Sequence, residues 1–360
     1  MRLSNILAVA ALVFGIGVSD SHAYVWNKCG NGKSLKWSGN LDTLRASSVG
    51  FPVGPWRDAL ASVATKWNTS PTKMRYSLIY GDTSVALNNG QNEVWWQADP
   101  GAPAITYWWY NTDSCTFTET DIIFDNQEAY HYTQSKGSLW PYGGAYRPFQ
   151  TTATHEFGHA QGLGHTANVY SVMGQDWDHI HANCGIARMY PGEDAIDGSV
   201  DHYGLVAGAK ADVGVAHWRW TGSSGAYSTH DRTRLFNTLN IELSKWANSP
   251  EPIYRVDKGQ TVLLEMSYEN MGSGSVSADI GYYLSTNDCI STGDTFLGSG
   301  SVSMARDQVF TTSNTSLVIP ANLTSGQTYW LGAYIDTTFK LNEHVDDGYE
   351  NATYLAVRVN

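Results

Sequence analysis

Three histidines and one glutamate lie within the eleven-residue run HEFGHAQGLGH. His155 and His159 are four residues apart, so on a helix their imidazoles lie on one face and can converge on a single ion. Glu156 lies next to the first histidine, where its carboxylate can reach a water on that ion without being a ligand. Gly162 can take the positive φ that ends a helix sharply, which turns His165 back as a third nitrogen ligand. Three histidines with an open fourth position are typical of a catalytic zinc site.

This run resembles the zinc site of the metzincin endopeptidases, and a downstream methionine supports the resemblance. Met173 follows His165 by eight residues, where the matrixin branch of that superfamily places the methionine of its Met-turn beneath the metal. The resemblance implies one catalytic Zn²⁺, a zinc-bound water activated by Glu156, and hydrolysis of peptide bonds in protein or peptide substrates. The competing hypothesis is an adhesin or surface-binding protein with a catalytically silent metalloprotease-like scaffold, which the intact glutamate disfavours.

Weaker similarities to matrixins run from about residue 37 to residue 204. Residues 104–106 and 119–125 resemble the edge strand and the strand that precede the active-site helix in that family, where the edge strand binds an extended substrate. Residues 191–204 resemble the helix and the Tyr-Gly pair that close the family's catalytic domain. The resemblance implies an α+β metzincin-like catalytic domain at residues 24–205, with a twisted, mostly parallel sheet and an active-site helix.

The residues that follow Met173 depart from the family. Gly174, Gln175 and Asp176 stand where matrixins have Tyr-Pro, and they also lack the zinc-facing tyrosine of the astacin-like and serralysin-like branches. The side-chain preference of the cleft therefore cannot be carried over from the resemblance.

The spacing of apolar residues predicts the elements that position this site. Pro55 suits the first turn of a helix, and apolar residues recur after it at helical spacing until about residue 68. Trp108 and Trp109 are expected near the cleft, with ordinary packing kept as the alternative. Short β-branched and aromatic runs predict strands at residues 74–80, 93–97, 105–110 and 120–124.

Beyond Gly204 the pattern changes to short alternating strands, which predict an all-β immunoglobulin-like sandwich. The polar segment 221–240 looks like an insertion in it. The strands are expected at residues 212–218, 262–269, 278–285, 308–312, 328–335 and 353–359.

This half also resembles the bacterial CARDB domain. The resemblance lies in residues 281–285, 319–321, 329–336, 342–343 and 350–351. It implies a CARDB-like domain at residues 211–360, after a linker at 206–210, and a cell-surface or matrix component as its binding partner.

The four cysteines predict disulfides. Cys29, Cys115, Cys184 and Cys289 contain no C-x-x-C pair, and the three ways of pairing them stay open. Cys29 lies in the run Lys-Cys-Gly, which is faintly similar to the Arg-Cys-Gly run whose thiolate plugs the zinc in matrixin pro-segments. A disulfide is the favoured prediction for Cys29, because no pro-domain precedes it.

The first 23 residues predict a signal peptide and therefore a secreted, extracellular protein. Arg2 precedes an apolar run of thirteen residues, which is too short to span a bilayer, and Ser21 and Ala23 suit a signal peptidase. The net charge of -12 and the lack of a basic run argue against nucleic acid or an anionic membrane as a partner.

Two other groups of residues raise the question of further metal ions. His179 and His181 are interpreted as solvated loop histidines rather than ligands. Calcium is kept open because the family often binds it, although no D-x-D-x-D-G loop is present. The acidic residues near the C-terminus are interpreted as a solvated loop: Glu343, Asp346, Asp347 and Glu350.

Overall fold

A computed structural model describes residues 23–47, 50–248, 250–344 and 348–360. Three α-helices occur among them: Pro55–Thr69 (α1), Phe149–Ala160 (α2) and Glu193–Tyr203 (α3). In this part of the chain, no helix combines the length and the apolar character needed to cross a bilayer. The predicted signal peptide, residues 1–23, lies outside the described residues except for Ala23.

A five-stranded sheet organises the first half of the chain. In spatial order its strands are Arg75–Asp82, Leu41–Ser47, Glu93–Gln97, Thr116–Asp125 and Ala104–Asn111. Neighbours among the first four pair in parallel, and the last strand pairs antiparallel with the fourth. The expected mostly parallel sheet is therefore confirmed, and the predicted edge strand does lie at an edge.

The strand Leu41–Ser47 was not predicted. Its sequence, LDTLRAS, has few of the β-branched and aromatic residues that favour strands. The segment forms a strand because it pairs in parallel with a neighbouring strand on each side. These partners are distant in the chain, so no local sequence pattern reveals the pairing.

Helices α1 and α2 contribute to the apolar core of this half, together with residues of the sheet. Helix α1 buries Leu60, Val63 and Trp67, which confirms the helical spacing expected after Pro55. Every residue of α2 is buried. Because α2 is enclosed on all sides, the side chains that it carries are held in fixed positions.

Short elements surround this core. Two 3₁₀ turns span Lys136–Ser138 and Trp140–Tyr142. Three short strand pairs are Val25–Trp26 with Leu163–Gly164, Tyr130–His131 with Arg147–Pro148, and His181–Asn183 with Ile186–Arg188. The first pair fixes the backbone immediately before His165.

Two sheets form the second half, and their inner faces share one apolar core. One sheet contains Val213–Ala216, Leu235–Phe236, Thr261–Asn270 and Val309–Val318. The other, in spatial order, contains Lys245–Ala247, Ile253–Val256, Ala352–Val359, Thr328–Ile335, Val276–Ser285 and Thr295–Met304. This is the sandwich that the alternating pattern predicts. The strand Thr295–Met304 was missed because its Gly- and Ser-rich sequence, TFLGSGSVSM, is largely exposed.

Much of the segment 221–240 lies in a separate two-stranded sheet outside the sandwich, as expected of an insertion, whereas Leu235–Phe236 belongs to the sandwich. Trp218–Ser224 and Tyr227–Arg232 form an antiparallel hairpin, which we call the cleft hairpin. Trp220 Nε1 donates to the carbonyl of Ala167 at 3.0 Å. Ser228 N–H donates to the carbonyl of Thr166 at 2.9 Å. Most side chains of the cleft hairpin are exposed or half-buried, which accounts for its polar sequence.

Two disulfides pair the four cysteines. Cys29 bonds to Cys115 within the first half, so it offers no free thiolate to a metal. Cys184 bonds to Cys289 and joins the two halves. Asn183 Nδ2 also donates to the carbonyl of Ile290 at 3.0 Å, beside this bond. The halves are thus held together covalently and by buried contacts.

Replacing both Cys184 and Cys289 by serine should lower the free energy of unfolding by about 2–4 kcal/mol, because the bond restricts the unfolded chain across a separation of 105 residues. Guanidinium unfolding of the full chain under oxidising conditions measures this loss. The double serine variant of Cys29 and Cys115 is the matched control, since it removes a bond that does not join the halves. An unfolding midpoint equal to that of the wild type in the Cys184/Cys289 variant would contradict this prediction.

Candidate metal centre and substrate cleft

Three imidazoles meet at the C-terminal end of α2. His155 and His159 lie one turn apart on that helix, and His165 follows a sharp turn at Gly162, whose φ is +106°. A Cβ at this glycine would lie 2.4 Å from the carbonyl oxygen of Leu35. Only glycine fits this turn, which brings the third histidine back to the other two.

The geometry of the three rings suits a zinc ion. His159 Nε2 lies 3.0 Å from Nε2 of His155 and 3.1 Å from Nε2 of His165. Ligands about 2.0–2.1 Å from one tetrahedral Zn²⁺ stand roughly 3.3 Å apart. Among the described residues, these three form the one group of three metal-binding side chains whose ligand atoms all lie within 4.8 Å of one another.

Backbone carbonyls fix the tautomers of the two helix histidines. His155 Nδ1 lies 2.6 Å from the carbonyl oxygen of Val172, and His159 Nδ1 lies 2.8 Å from that of Leu163. Because a carbonyl can only accept, both Nδ1 atoms carry the proton. Both Nε2 atoms therefore present lone pairs to a common point, which is the arrangement a cation requires.

Burial favours the neutral form of His159 and His165. It lowers the pKa of His165 to about 4, with the neighbouring His155 lowering it further. Burial also lowers the pKa of His159 well below its usual value, and the two adjacent imidazoles add to this effect. Neutral imidazole is the form that binds a metal, so the site is ready for one near pH 7.

Glu156 lies beside this centre with its carboxylate buried. Its Oε2 accepts a hydrogen bond from Oγ1 of Thr106, on the edge strand, at 2.6 Å. Burial raises the pKa of Glu156, and the nearby His155 and the hydrogen bond from Thr106 oppose this rise. The carboxylate is therefore both oriented and poised to accept a proton. Its place in the predicted edge strand is the one feature of the sequence that relates Thr106 to the site.

Met173 lies beneath α2, as the resemblance implied. It is fully buried, and its main-chain carbonyl accepts from Thr166 N–H at 3.0 Å. A Cβ added to Gly158 would lie 2.3 Å from Sδ of Met173. The methionine therefore packs directly against the helix backbone between the two helix histidines.

A cleft of about 690 Å³ opens over the three histidines. The edge strand forms one wall through Ala104, Ile105 and Thr106, and Trp108 lies beside them. Trp109 does not line the cleft and instead stacks near Tyr107, with ring centroids 6.4 Å apart. The expectation for the two tryptophans is thus met by only the first.

The cleft hairpin from the second half forms the opposite wall. Ser224, Tyr227 and Ser228 line the cleft. The ring of Tyr227 packs on the imidazole of His165, with centroids 4.1 Å apart. No spacing in the sequence links these two residues, so the sequence could not indicate this contact.

Asp176 adds a fixed negative charge to the cleft. Arg147 Nη2 lies 3.1 Å and 3.2 Å from its two carboxylate oxygens, and Thr152 also donates to it. Burial would raise the pKa of Asp176, but Arg147 and His155 hold it below its usual value. This residue belongs to the segment that departs from the matrixin pattern, so the departure alters a wall of the cleft.

The interpretation of His179 and His181 as solvated is wrong, because both side chains are fully buried. The solvated interpretation of the C-terminal acidic residues is also wrong for Glu343 and Glu350, which are buried. Glu343 accepts hydrogen bonds from Val213 N–H and Asn351 Nδ2. The other two, Asp346 and Asp347, lie outside the described residues.

Comparison with known protein families identifies a matrixin-like segment. Residues 109–186 match the family model described as Matrixin, a range that contains α2, His165 and Met173. No curated protein sequence matches the chain. The chain therefore contains a metalloprotease-like scaffold.

Solved structures of the CARDB domain of a Pyrococcus furiosus protein also match. A crystal structure, in complex with di-metal ions, is 19% identical, covers 29% of this chain and 79% of that chain, and has a TM-score of 0.21. A solution structure is 15% identical, covers 42% of this chain and 94% of that chain, and has a TM-score of 0.23. TM-scores of this size do not define a fold, so the sandwich rests on its own sheet topology.

Gly158→Ala should destabilise the protein by about 1–3 kcal/mol, because the new methyl overlaps Sδ of Met173 and outweighs the better helix propensity of alanine. Thermal and denaturant unfolding measure the change. A double-mutant cycle with Met173→Ala provides the control, since the shortened side chain leaves room for the methyl. Strictly additive effects of the two substitutions would contradict the contact.

Proposed function

We propose that the chain is a secreted, zinc-dependent endopeptidase that hydrolyses peptide bonds in protein substrates. The observation that carries the proposal is the convergence of the Nε2 atoms of His155, His159 and His165 beside the buried carboxylate of Glu156, in an open cleft. The matrixin match over residues 109–186 supports the same class of activity. Met173 would support the metal site from beneath without touching the substrate.

The three histidines would hold Zn²⁺. When bound, this ion supplies a Lewis acid that acidifies water and polarises a carbonyl group. The chain's own contribution is to hold the rings in place and to keep those of His159 and His165 neutral. The carbonyls of Val172 and Leu163 orient the rings of His155 and His159 on the buried helix.

The edge strand Ala104–Asn111 would bind the substrate. It pairs with Thr116–Asp125 on one side, and its residues 104–106 line the cleft. An extended peptide can add to such an edge through main-chain hydrogen bonds, which favour no particular sequence. The cleft hairpin lies across from this strand and would limit the side chains that fit.

Glu156 would transfer the proton. Its carboxylate takes a proton from the water as the water oxygen attacks the scissile carbonyl carbon, and it then delivers that proton to the leaving nitrogen. The carbon–nitrogen bond breaks, and the products are a carboxylate and an amine. Thr106 would be a positioning residue, because its hydroxyl holds the carboxylate in place.

Secretion is part of the proposal. Two disulfides suit an oxidising compartment outside the cytosol. The binding of a cell-surface or matrix component by the second half stays a prediction, as do the boundaries 24–205, 206–210 and 211–360.

Glu156→Gln should lower the rate of cleavage of an unfolded protein substrate by about 10²–10⁴-fold, because the amide cannot accept the proton. Zinc content should stay at the wild-type level, since the three imidazoles are intact. His159→Ala is the contrasting control and should lose both the zinc ion of this site and the activity. Wild type and Glu156→Gln that are equally inactive with zinc bound would instead favour a catalytically silent scaffold.

Thr106→Val should lower kcat by about tenfold, because the buried carboxylate of Glu156 loses the hydroxyl that orients it. Thr106→Ser keeps the hydroxyl and should restore most of the rate. Steady-state kinetics on a fluorogenic peptide separate this effect from a change in KM. Equal losses of kcat in the valine and serine variants would contradict the positioning role.

A further inference from the structure

Four metal-binding side chains lie buried at the junction between the two halves, away from the cleft. His179 follows the Met173 turn, His181 begins the strand His181–Asn183, and Glu193 begins α3. Glu269 comes from the strand Thr261–Asn270 of the second half. All four residues are at most 1% exposed. We call them the junction cluster.

The junction cluster surrounds one space. His181 Nε2 lies 3.4 Å from Oε1 of Glu269. A Cβ built on Gly192, which precedes α3, would lie 2.8 Å from Nε2 of His179 and 3.6 Å from Oε2 of Glu269. Glu193 is the next residue along the chain. Donor atoms from three segments of the first half and one strand of the second therefore face each other.

The donor atoms of the junction cluster have no hydrogen bonds of normal geometry. Both ring nitrogens of His179 and His181, and both carboxylate oxygens of Glu193 and Glu269, are buried without a hydrogen-bond partner. His181 Nε2 and Oε1 of Glu269 form only the long ion-pair contact of 3.4 Å. Buried polar atoms in this state are rare in folded proteins and costly when left unsatisfied. Four adjacent side chains of this kind require a common explanation.

The charges of the junction cluster also favour a bound cation. Two carboxylates lie side by side in a dry site, and among the described residues no lysine or arginine forms an ion pair with Glu193 or Glu269. Two carboxylates together balance the charge of one divalent cation. A doubly charged ion would take one donor atom from each of the four side chains and remove the repulsion between the carboxylates.

We propose that the junction cluster binds a second, structural Zn²⁺ that joins the two halves of the chain. Two nitrogen and two oxygen ligands favour zinc over calcium, which prefers six to eight oxygens. Four protein ligands leave no open position, so this ion is structural rather than catalytic. No three of these four residues have ligand atoms that all lie within 4.8 Å of one another, so the side chains would have to draw together when the ion binds.

The position of the junction cluster indicates what a bound ion would do for the structure. Glu269 is the contribution of the second half, and Cys184, three residues after His181, forms the disulfide to Cys289. The cleft hairpin also comes from the second half and lines the catalytic cleft. A metal ion at the junction would therefore fix the half that supplies one wall of the cleft.

Metal analysis of the full chain, equilibrated with Zn²⁺ and then freed of excess ion, tests this proposal. We expect two zinc ions per chain in the wild type and one in His159→Ala, which lacks the cleft site. We also expect one in Glu269→Gln and in His181→Asn. Glu265→Gln is the matched control: it removes another buried carboxylate of the same strand, one that pairs with Arg219 and Arg234, and should keep both ions.

A second measurement uses only the wild type, so it tests the proposal even if the variants fail to fold. The wild type is treated with a chelator until its cleavage of protein substrate stops, and its remaining zinc and its melting temperature are recorded. We expect one zinc ion to remain until harsher chelation removes it, with a fall in melting temperature that added Zn²⁺ reverses. A wild type that never holds more than the single ion lost in His159→Ala overturns the proposal. Reversal of the fall by Ca²⁺ but not by Zn²⁺ overturns it as well.

Discussion

The structure depends on one constraint: the Nε2 atom of His159 is held about 3 Å from the Nε2 atoms of both His155 and His165 in a buried place. Their lone pairs face one another, so without a cation the arrangement is unfavourable, and the surrounding fold must impose it. The enclosure of α2, the turn at Gly162 and the packing of Met173 on Gly158 all serve this purpose. The same enclosure keeps the rings neutral and orients the carboxylate of Glu156.

The cleft belongs to both halves of the chain. The matrixin match covers residues 109–186, which hold the histidines and the methionine but neither Thr106 nor the cleft hairpin. Thr106 comes from the start of the edge strand, and Tyr227 comes from the second half and packs on His165. The metal chemistry is therefore contained in one short segment, whereas the shape of the substrate site depends on how the two halves are joined.

Sequence reasoning succeeded where function depends on local spacing. The helix that carries His155 and His159, the turn at Gly162 and the distance to Met173 are all set by residues close in the chain. Sequence reasoning failed where a residue's contacts come from segments that are distant in the chain. His179 and His181 are only two residues apart in a polar stretch, and nothing local reveals that Glu269 comes near them. The polar composition of residues 221–240 indicates an insertion, but nothing in it reveals that residues 218–232 form a hairpin that lines the cleft of the other half.

X-ray diffraction from crystals of the full chain, recorded on both sides of the zinc absorption edge, tests the central claim most directly. We predict a strong anomalous peak about 2.0–2.1 Å from the Nε2 atoms of His155, His159 and His165, with the carboxylate of Glu156 outside ligand distance. Crystals grown with Zn²⁺ that show no such peak, or a peak to which Glu156 is a direct ligand, would contradict the proposed catalytic site.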